Sequence, residues 1–216
     1  MTFLLPWPRS RPFCAYAWTG LRRLKKPGRR AALAQKIFLL TALACLAWSL
    51  LPLAFKIPPS LYSSPERSPL ILDRHGRVLD EPPRDDLFRH SPVTFKEIPI
   101  ALLDATLVAE DKRFFSHDGM DLRATIRATR DCLRHRRVVS GASTITQQLI
   151  KISSPPTRRN ISSKIRESLT ARHLEYQWSK ERILTAYLNR LDYGNHRQGC
   201  RCAARFYFGK PLTDLS

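Results

Sequence analysis

The sequence predicts a mainly α-helical domain carried behind a single apolar helix. Three observations carry that prediction. Residues 37–55 contain no charged side chain and are mostly apolar. From about residue 97 onward apolar residues recur at helical spacing, in segments that open on Pro, Asp or Ser and close on Gly or Pro. Strand-like patterning is confined to one short stretch, residues 69–80. A chain of 216 residues has room for one ordinary domain plus an anchor.

The net charge of +19 is unevenly spread. Residues 1–36 hold nine of the 37 Lys and Arg and no acid, leaving 28 basic against 18 acidic residues in the remainder. Such a surplus attracts nucleic acid, anionic lipid or a phosphorylated substrate. The 37–55 run favours lipid and argues against nucleic acid, because about 20 apolar residues in a helix cross the ~30 Å hydrocarbon core of a bilayer. Its basic flank comes first, so the positive-inside rule places the N-terminus in the cytoplasm and residues beyond about 56 outside. A cleaved signal peptide would have a shorter apolar core and a small-residue cleavage site, which Lys56-Ile57-Pro58-Pro59 does not offer. The expected organisation is a basic cytoplasmic segment (1–36), a transmembrane helix (37–55), a Pro- and Ser-rich linker (56–68) and a domain over 69–216 that ends without a closing helix and reads as incomplete. Of the five cysteines, Cys14 is cytoplasmic and Cys45 lies in lipid on this topology; only Cys132, Cys200 and Cys202 fall on the exported side, an odd number, so no disulfide framework is implied. No Cys or His pair stands at zinc spacing to Cys200-x-Cys202.

The elements follow in order. Pro69 to Asp80 is two short apolar runs around His75-Gly76, a small hairpin. Pro99 suits the first turn of a helix whose apolar positions are Leu102, Leu103, Ala105, Leu107 and Val108, and which delivers Glu110 near its end. A second helix spans 121–135, with Asp121 as cap and Leu122, Ile126, Thr129 and Leu133 on one face. A third is expected to start at Ser143 as N-cap. After Pro155-Pro156 a fourth runs from Ser162 or Ser163 to about Gln177, with Ile165, Leu169 and Leu174 inward. A fifth, capped by Ser179, covers 180–191, and a sixth covers 202–208 before Gly209.

Three stretches carry chemistry. Glu110 follows Leu107-Val108-Ala109 and precedes Phe114-Phe115, so it is expected at the edge of an apolar wall, where partial desolvation would suit a general base. The alternative is a helix-end acid paired with Lys112 or Arg113. Ser143-Thr144-Ile145-Thr146-Gln147-Gln148 opens a helix with hydroxyls and amides able to bind sugar or phosphate oxygens, and Lys151 lies two turns on as a phosphate partner. The bland reading is a capped helix with solvated glutamines. Glu167 sits among Arg158, Arg159, Lys164 and Arg166. It can orient a cation, hold a divalent metal on a pyrophosphate or stabilise positive charge at a sugar carbon. Otherwise it is half of a surface pair with Lys164. Glu175 is a weaker second candidate.

Taken together, these residues resemble the family 51 peptidoglycan glycosyltransferases, found at the front of class A penicillin-binding proteins and alone in monofunctional transglycosylases. The matching strings are Glu110-Asp111-x-x-Phe114-x-x-His117-x-Gly119, Gly141-x-Ser143-Thr144-Ile145-Thr146-Gln147-Gln148-Leu149-x-Lys151, Lys164-x-x-Glu167-x-x-x-Ala171-x-x-Leu174-Glu175, Lys180-x-x-Ile183-Leu184-x-x-Tyr187-Leu188-Asn189 and Ala203-Ala204-x-x-Tyr207-Phe208-Gly209-Lys210. The strings 138–143 and 188–194 look most like the C type. The resemblance implies a lysozyme-like helical fold on a bacterial plasma-membrane anchor and the polymerisation of lipid II. It implies Glu110 as the base and Glu167 as the acid that helps undecaprenyl pyrophosphate leave. Asp111, Phe114, Ser143, Thr146, Gln147, Gln148, Lys151, Arg159 and Lys164 become the substrate-binding set. A divalent cation, Mg2+ or Mn2+, is the one cofactor implied, and no resident metal site. The implied partners are lipid II, the growing glycan chain, membrane lipids and other cell-wall synthesis proteins, with no nucleic acid. One departure is Ser163, where the family usually has Arg. The rival readings are a non-catalytic remnant that binds lipid II or partner proteins, and a lysozyme-like hydrolase using the same two acids.

Overall fold

The computed structural model describes residues 29–135, 141–158 and 160–215. Two compact units are distinguished, residues 1–46 and 47–216. Within the described part of the first, residues 29–46 lie in helix α1 (Arg29–Leu50), which buries no residue. Together with a 3-10 turn to Ala54 it is long and apolar enough to cross a membrane. The helix begins before residue 37, because Arg29 to Lys36 includes four alanines or leucines that favour helix. It yields to the 3-10 turn where Pro52 enters the chain.

The second unit is built on helices, as expected. Helices α2 (Ile100–Glu110), α3 (Leu122–His135), α4 (Ile145–Ile152), α5 (Ile161–Gln177), α6 (Lys180–Arg190) and α7 (Cys200–Phe208) carry it. The core sits where α4 meets α5 and α6. Ile145, Leu149, Leu174 and Ile183 are fully buried there, with Leu184, Tyr187 and Leu188 nearly so. Each such Leu or Ile contributes about 1.5–3 kcal/mol on leaving water. The hairpin appears as β1 (Ile71–Leu72) against β2 (Val78–Asp80), turned at Gly76. A second pair is parallel and links distant segments, β3 (Arg89–His90) with β4 (Arg197–Gln198). Two-residue strands leave no periodic trace, so this pairing was illegible in the sequence.

Four expectations are corrected. The 56–68 stretch is not a free linker: Ile57 and Leu61 join the core, and Tyr62 packs edge-on against Trp178. Arg190 donates to the Ser60 and Ser63 carbonyls, which fastens the segment to α6. The face of α3 marked by Leu122, Ile126 and Leu133 is exposed (51%, 69% and 76%), and so is Ile165 on α5. On α3 the apolar stripe is narrow and Arg123, Arg127, Arg130 and Arg134 occupy the rest of the surface, so burying it would drag cations after it. The cap of α4 is Thr144, whose side chain accepts from Gln147 N, and not Ser143. Helix α5 starts at Asn160, which exchanges hydrogen bonds with Ser163 in a capping box.

His90 is fully buried between two carbonyls, Nδ1 3.1 Å from Glu66 O and Nε2 2.9 Å from Asn189 O. Burial outweighs those contacts and holds its pKa below the ordinary 6.5, helped by the positive charges of Arg84 and Arg190. The unfolded chain therefore takes up a proton more readily than the folded one, and stability is lost as pH falls below 6.5. Thermal unfolding followed by circular dichroism from about pH 8 to about pH 5 is expected to show this decline, with a shallower slope for H90Q.

Candidate active site

Motif by motif, the site is assembled by one loop closing on one helix start. Helix α2 ends at Glu110, and Asp111 leaves the helix and turns inward. Its carboxylate is buried, accepting from the Ile145 backbone N–H (3.1 Å) and from His117 Nε2 (3.0 Å). Ile145 is the first residue of α4, so the acid sits at the positive end of that helix. Thr144 donates back to Gly119 O at 2.8 Å. Gly119 has φ +79°, and a Cβ there would stand 2.8 Å from the Ala171 backbone, so only glycine lets the loop rest on α5. Lys180 of α6 closes the loop from below. It donates to His117 O and pairs with Glu175, both at 2.6 Å, and lies 4.4 Å over the Phe114 ring.

This packing sorts the candidate residues. Asp111, Phe114 and Thr146 are buried and hold the scaffold; Thr146 donates to Glu175 Oε1 at 2.6 Å. The polar atoms of Asp111 and Thr146 are engaged by protein, and the Phe114 ring lies under Lys180, so all three face the interior rather than the groove. Glu175 belongs to the same buried network. Ser143, Gln147, Gln148, Lys151, Lys164 and Glu167 all line one groove of about 670 Å³ with Asn160, Ile161 and Ser163. A larger cavity of about 1440 Å³ shares Lys151, Asn160, Ser163 and Glu167 with it and continues past Arg158, Arg166, Lys56 and Arg190. Glu167 is therefore at the junction, with cations on either hand. Arg159 lies outside the described residues, as do residues 1–28.

Glu110 reaches the groove through Gln148, whose amide Nε2 donates to Glu110 Oε2 at 2.8 Å. The partial desolvation expected for this acid is absent: Glu110 is exposed, because the last turn of α2, with Val108, faces outward. Placement comes from the hydrogen bond instead. Lys164 donates to Ser143 Oγ (2.7 Å) and stands 3.6 Å from Glu167, so the surface-pair reading and the site reading of Glu167 coincide. Gln147 donates to Ser168 Oγ (3.2 Å), while its buried Oε1 has no partner among the described residues and can accept from a ligand hydroxyl or amide. Ser163, the departure from the resembling family's Arg, completes the capping box that Asn160 opens on α5; Arg158 and Arg166 supply positive charge in the larger cavity.

Two contributors were missed. Asn160 shapes the groove by starting α5, and its Asn-x-x-Ser spacing to Ser163 was the readable signal. Tyr187 is buried and donates to Gln148 Oε1 at 3.0 Å. Burial, then the nearby charge of Glu110, pushes its phenol up to about 12, so it stays a donor at any working pH.

Comparison with known proteins now bears on this geometry. The family model for the transglycosylase domain matches residues 75–216. The chain belongs to the transglycosylase family. Its transglycosylase relatives include penicillin-binding protein 1A of Pseudomonas aeruginosa, 39% identical over 128 residues, 59% of this chain and 16% of that protein. The biosynthetic peptidoglycan transglycosylase of Azoarcus sp. is 39% identical over 138 residues, 64% of this chain and 60% of that protein. Penicillin-binding protein 1B of Vibrio cholerae is 42% identical over 123 residues, 55% of this chain and 16% of that protein. The chain thus spans a minor part of the two penicillin-binding proteins and over half of the transglycosylase.

Replacing Asp111 by Asn is expected to remove about 2 kcal/mol of stability, because it weakens a charged acceptor shared by a buried N–H and an imidazole. Thermal unfolding of D111N in detergent, set beside the unchanged chain, measures it.

Proposed function

We propose that the chain is a peptidoglycan glycosyltransferase that polymerises lipid II into glycan strands. The observation that carries this reading is a groove lined by Gln148, which holds the exposed Glu110, and meeting at Glu167 a second cavity lined by cations. Family membership supports it.

In this reading the free oxygen of Glu110 removes the proton from the 4-hydroxyl of the acceptor's N-acetylglucosamine. The acceptor's 4-oxygen, thus deprotonated, attacks C1 of the donor's N-acetylmuramic acid. The bond from C1 to the undecaprenyl pyrophosphate oxygen breaks with inversion, and its electron pair leaves on the diphosphate. Lys151, Lys164, Arg158 and Arg166 stabilise the departing charge from fixed positions. Glu167 orients Lys164 and faces the carbon at which positive charge develops. Gln147 and Gln148 hold sugar oxygens or the acetamido N–H.

A divalent cation fits only as one carried by the diphosphate. Among the described residues no three His, Cys, Asp or Glu side chains cluster, whereas Glu167 offers a single carboxylate of the kind Mg2+ uses beside substrate phosphates. Bound there, the ion would neutralise diphosphate charge.

Helix α1 anchors the chain in the plasma membrane, with the N-terminus in the cytoplasm and the domain outside. Helix α3, with exposed Leu122, Ile126 and Leu133 against four arginines, suits an anionic lipid surface.

The test is polymerisation of labelled lipid II by the detergent-solubilised chain. Strands of product are expected, and E110Q should lower the rate at least ~100-fold without lowering the unfolding temperature. An E110Q rate near the original refutes the base assignment. K151A should raise KM about tenfold, more than it lowers kcat. Binding of lipid II without turnover would favour the remnant, and cleavage of finished strands the hydrolase.

A further inference from the structure

The base is reached by a hydrogen-bond relay that starts in the core. Tyr187 stands on α6 with its ring 1% exposed. Its hydroxyl donates to Gln148 Oε1 (3.0 Å), and Gln148 Nε2 donates to Glu110 Oε2 (2.8 Å). The order of these bonds follows from chemistry. A carboxylate only accepts, so the amide must turn its N–H to Glu110. Its carbonyl then faces the phenol, which must donate. The carboxylate thus sets the sense of the amide. A hydroxyl can donate or accept, so what the buried phenol adds is a fixed anchor for the carbonyl end.

We infer that Tyr187 is a positioning residue for the reaction, anchoring the carbonyl end of the Gln148 amide so that its N–H is held against Glu110. The inference deepens the reading of Glu110 as base and rests on it. Oε2 is engaged, and Oε1, which has no partner among the described residues, is left for the incoming hydroxyl. An amide without that anchor would rotate about its own side chain and no longer hold Oε2 in one place. Of the groups facing Glu110, Gln148 comes from α4 and Tyr187 from α6, and Tyr187 is the titratable one. Along its own chain the neighbours are Asp111, bound to His117 and Ile145 N–H, exposed Lys112, and Arg113, paired with Asp121 at 2.9 Å. The phenol, pushed up to about 12, holds its proton across the range in which a carboxylate base works.

The experiment compares Y187F, Q148A, the double variant Y187F/Q148A and E110Q in lipid II polymerisation. Y187F keeps the ring and deletes only the hydroxyl. It should lower kcat about tenfold with KM changed less than about twofold. Q148A should lower kcat by a similar factor, and Y187F added to Q148A should change kcat no further. A loss of packing alone would lower the unfolding temperature and would add to the effect of Q148A. If Y187F unfolds at the assay temperature, Q148A decides, and a Q148A kcat near the original overturns the relay. With E110Q inactive, the relay is overturned by Y187F at the original kcat, or by additive losses in the double variant. An active E110Q overturns the base assignment, and the relay with it.

Discussion

The buried carboxylate of Asp111 is the interaction on which the site depends. Desolvating an ionised acid is costly, and the cost is met here by an imidazole and by the first free N–H of α4. The consequence is geometric. Glu110 precedes Asp111 in the chain, and Gln148 follows Ile145 by about one helical turn. One pinned side chain therefore sets the separation between the end of α2 and the start of α4, and with it the 2.8 Å contact between Glu110 and Gln148. The surrounding polar groups follow suit: Thr144 on the Gly119 carbonyl, and Lys180 between Glu175 and the His117 carbonyl. Most of these atoms are satisfied, which lets a polar cluster stiffen the scaffold without destabilising it.

Helix α5 carries the same logic along its length. Its first turns present Lys164 and Glu167 to the groove, its middle receives the Gly119 loop, and the turn after that holds the opening residues of the same unit. There Arg172 donates to the Trp48 carbonyl (2.8 Å) and lies 4.5 Å over the Trp48 ring. His173 Nδ1 donates to the Phe55 carbonyl at 2.7 Å. A helix is stiff, so substrate-facing charges and chain-holding groups share one rod.

The helical domain was legible because its caps and apolar periods agree: Ser179 starts α6, Asp121 starts α3, and Gly209 stops α7 in the left-handed conformation. The groove was legible as a set of residues and less so in its division of labour. Asp111, Phe114 and Thr146 stand in the same strings as Gln147 and Gln148, and only packing separates those that face inward from those that face the trough. Ser143 and Thr144 are both good caps, and the choice fell to Thr144 through its bond to Gly119, 25 residues away. Exposure of the α3 stripe could not be read from its period, which reports amphipathicity and not what covers it. The relay through Tyr187 joins residues 110, 148 and 187, a long-range closure that no local pattern encodes.

The fastening of residues 57–63 has a practical reach. These residues look like a tether, and a protein engineer seeking a water-soluble version would be inclined to begin expression after them. Such a cut would strip Ile57 and Leu61 from the interior, leave Trp178 without Tyr62 and release Arg190 from the carbonyls that restrain it. The compact unit that contains these contacts begins at Ala47, upstream of Pro52. Detaching the domain from its apolar helix therefore means trimming within that helix and keeping its final turn.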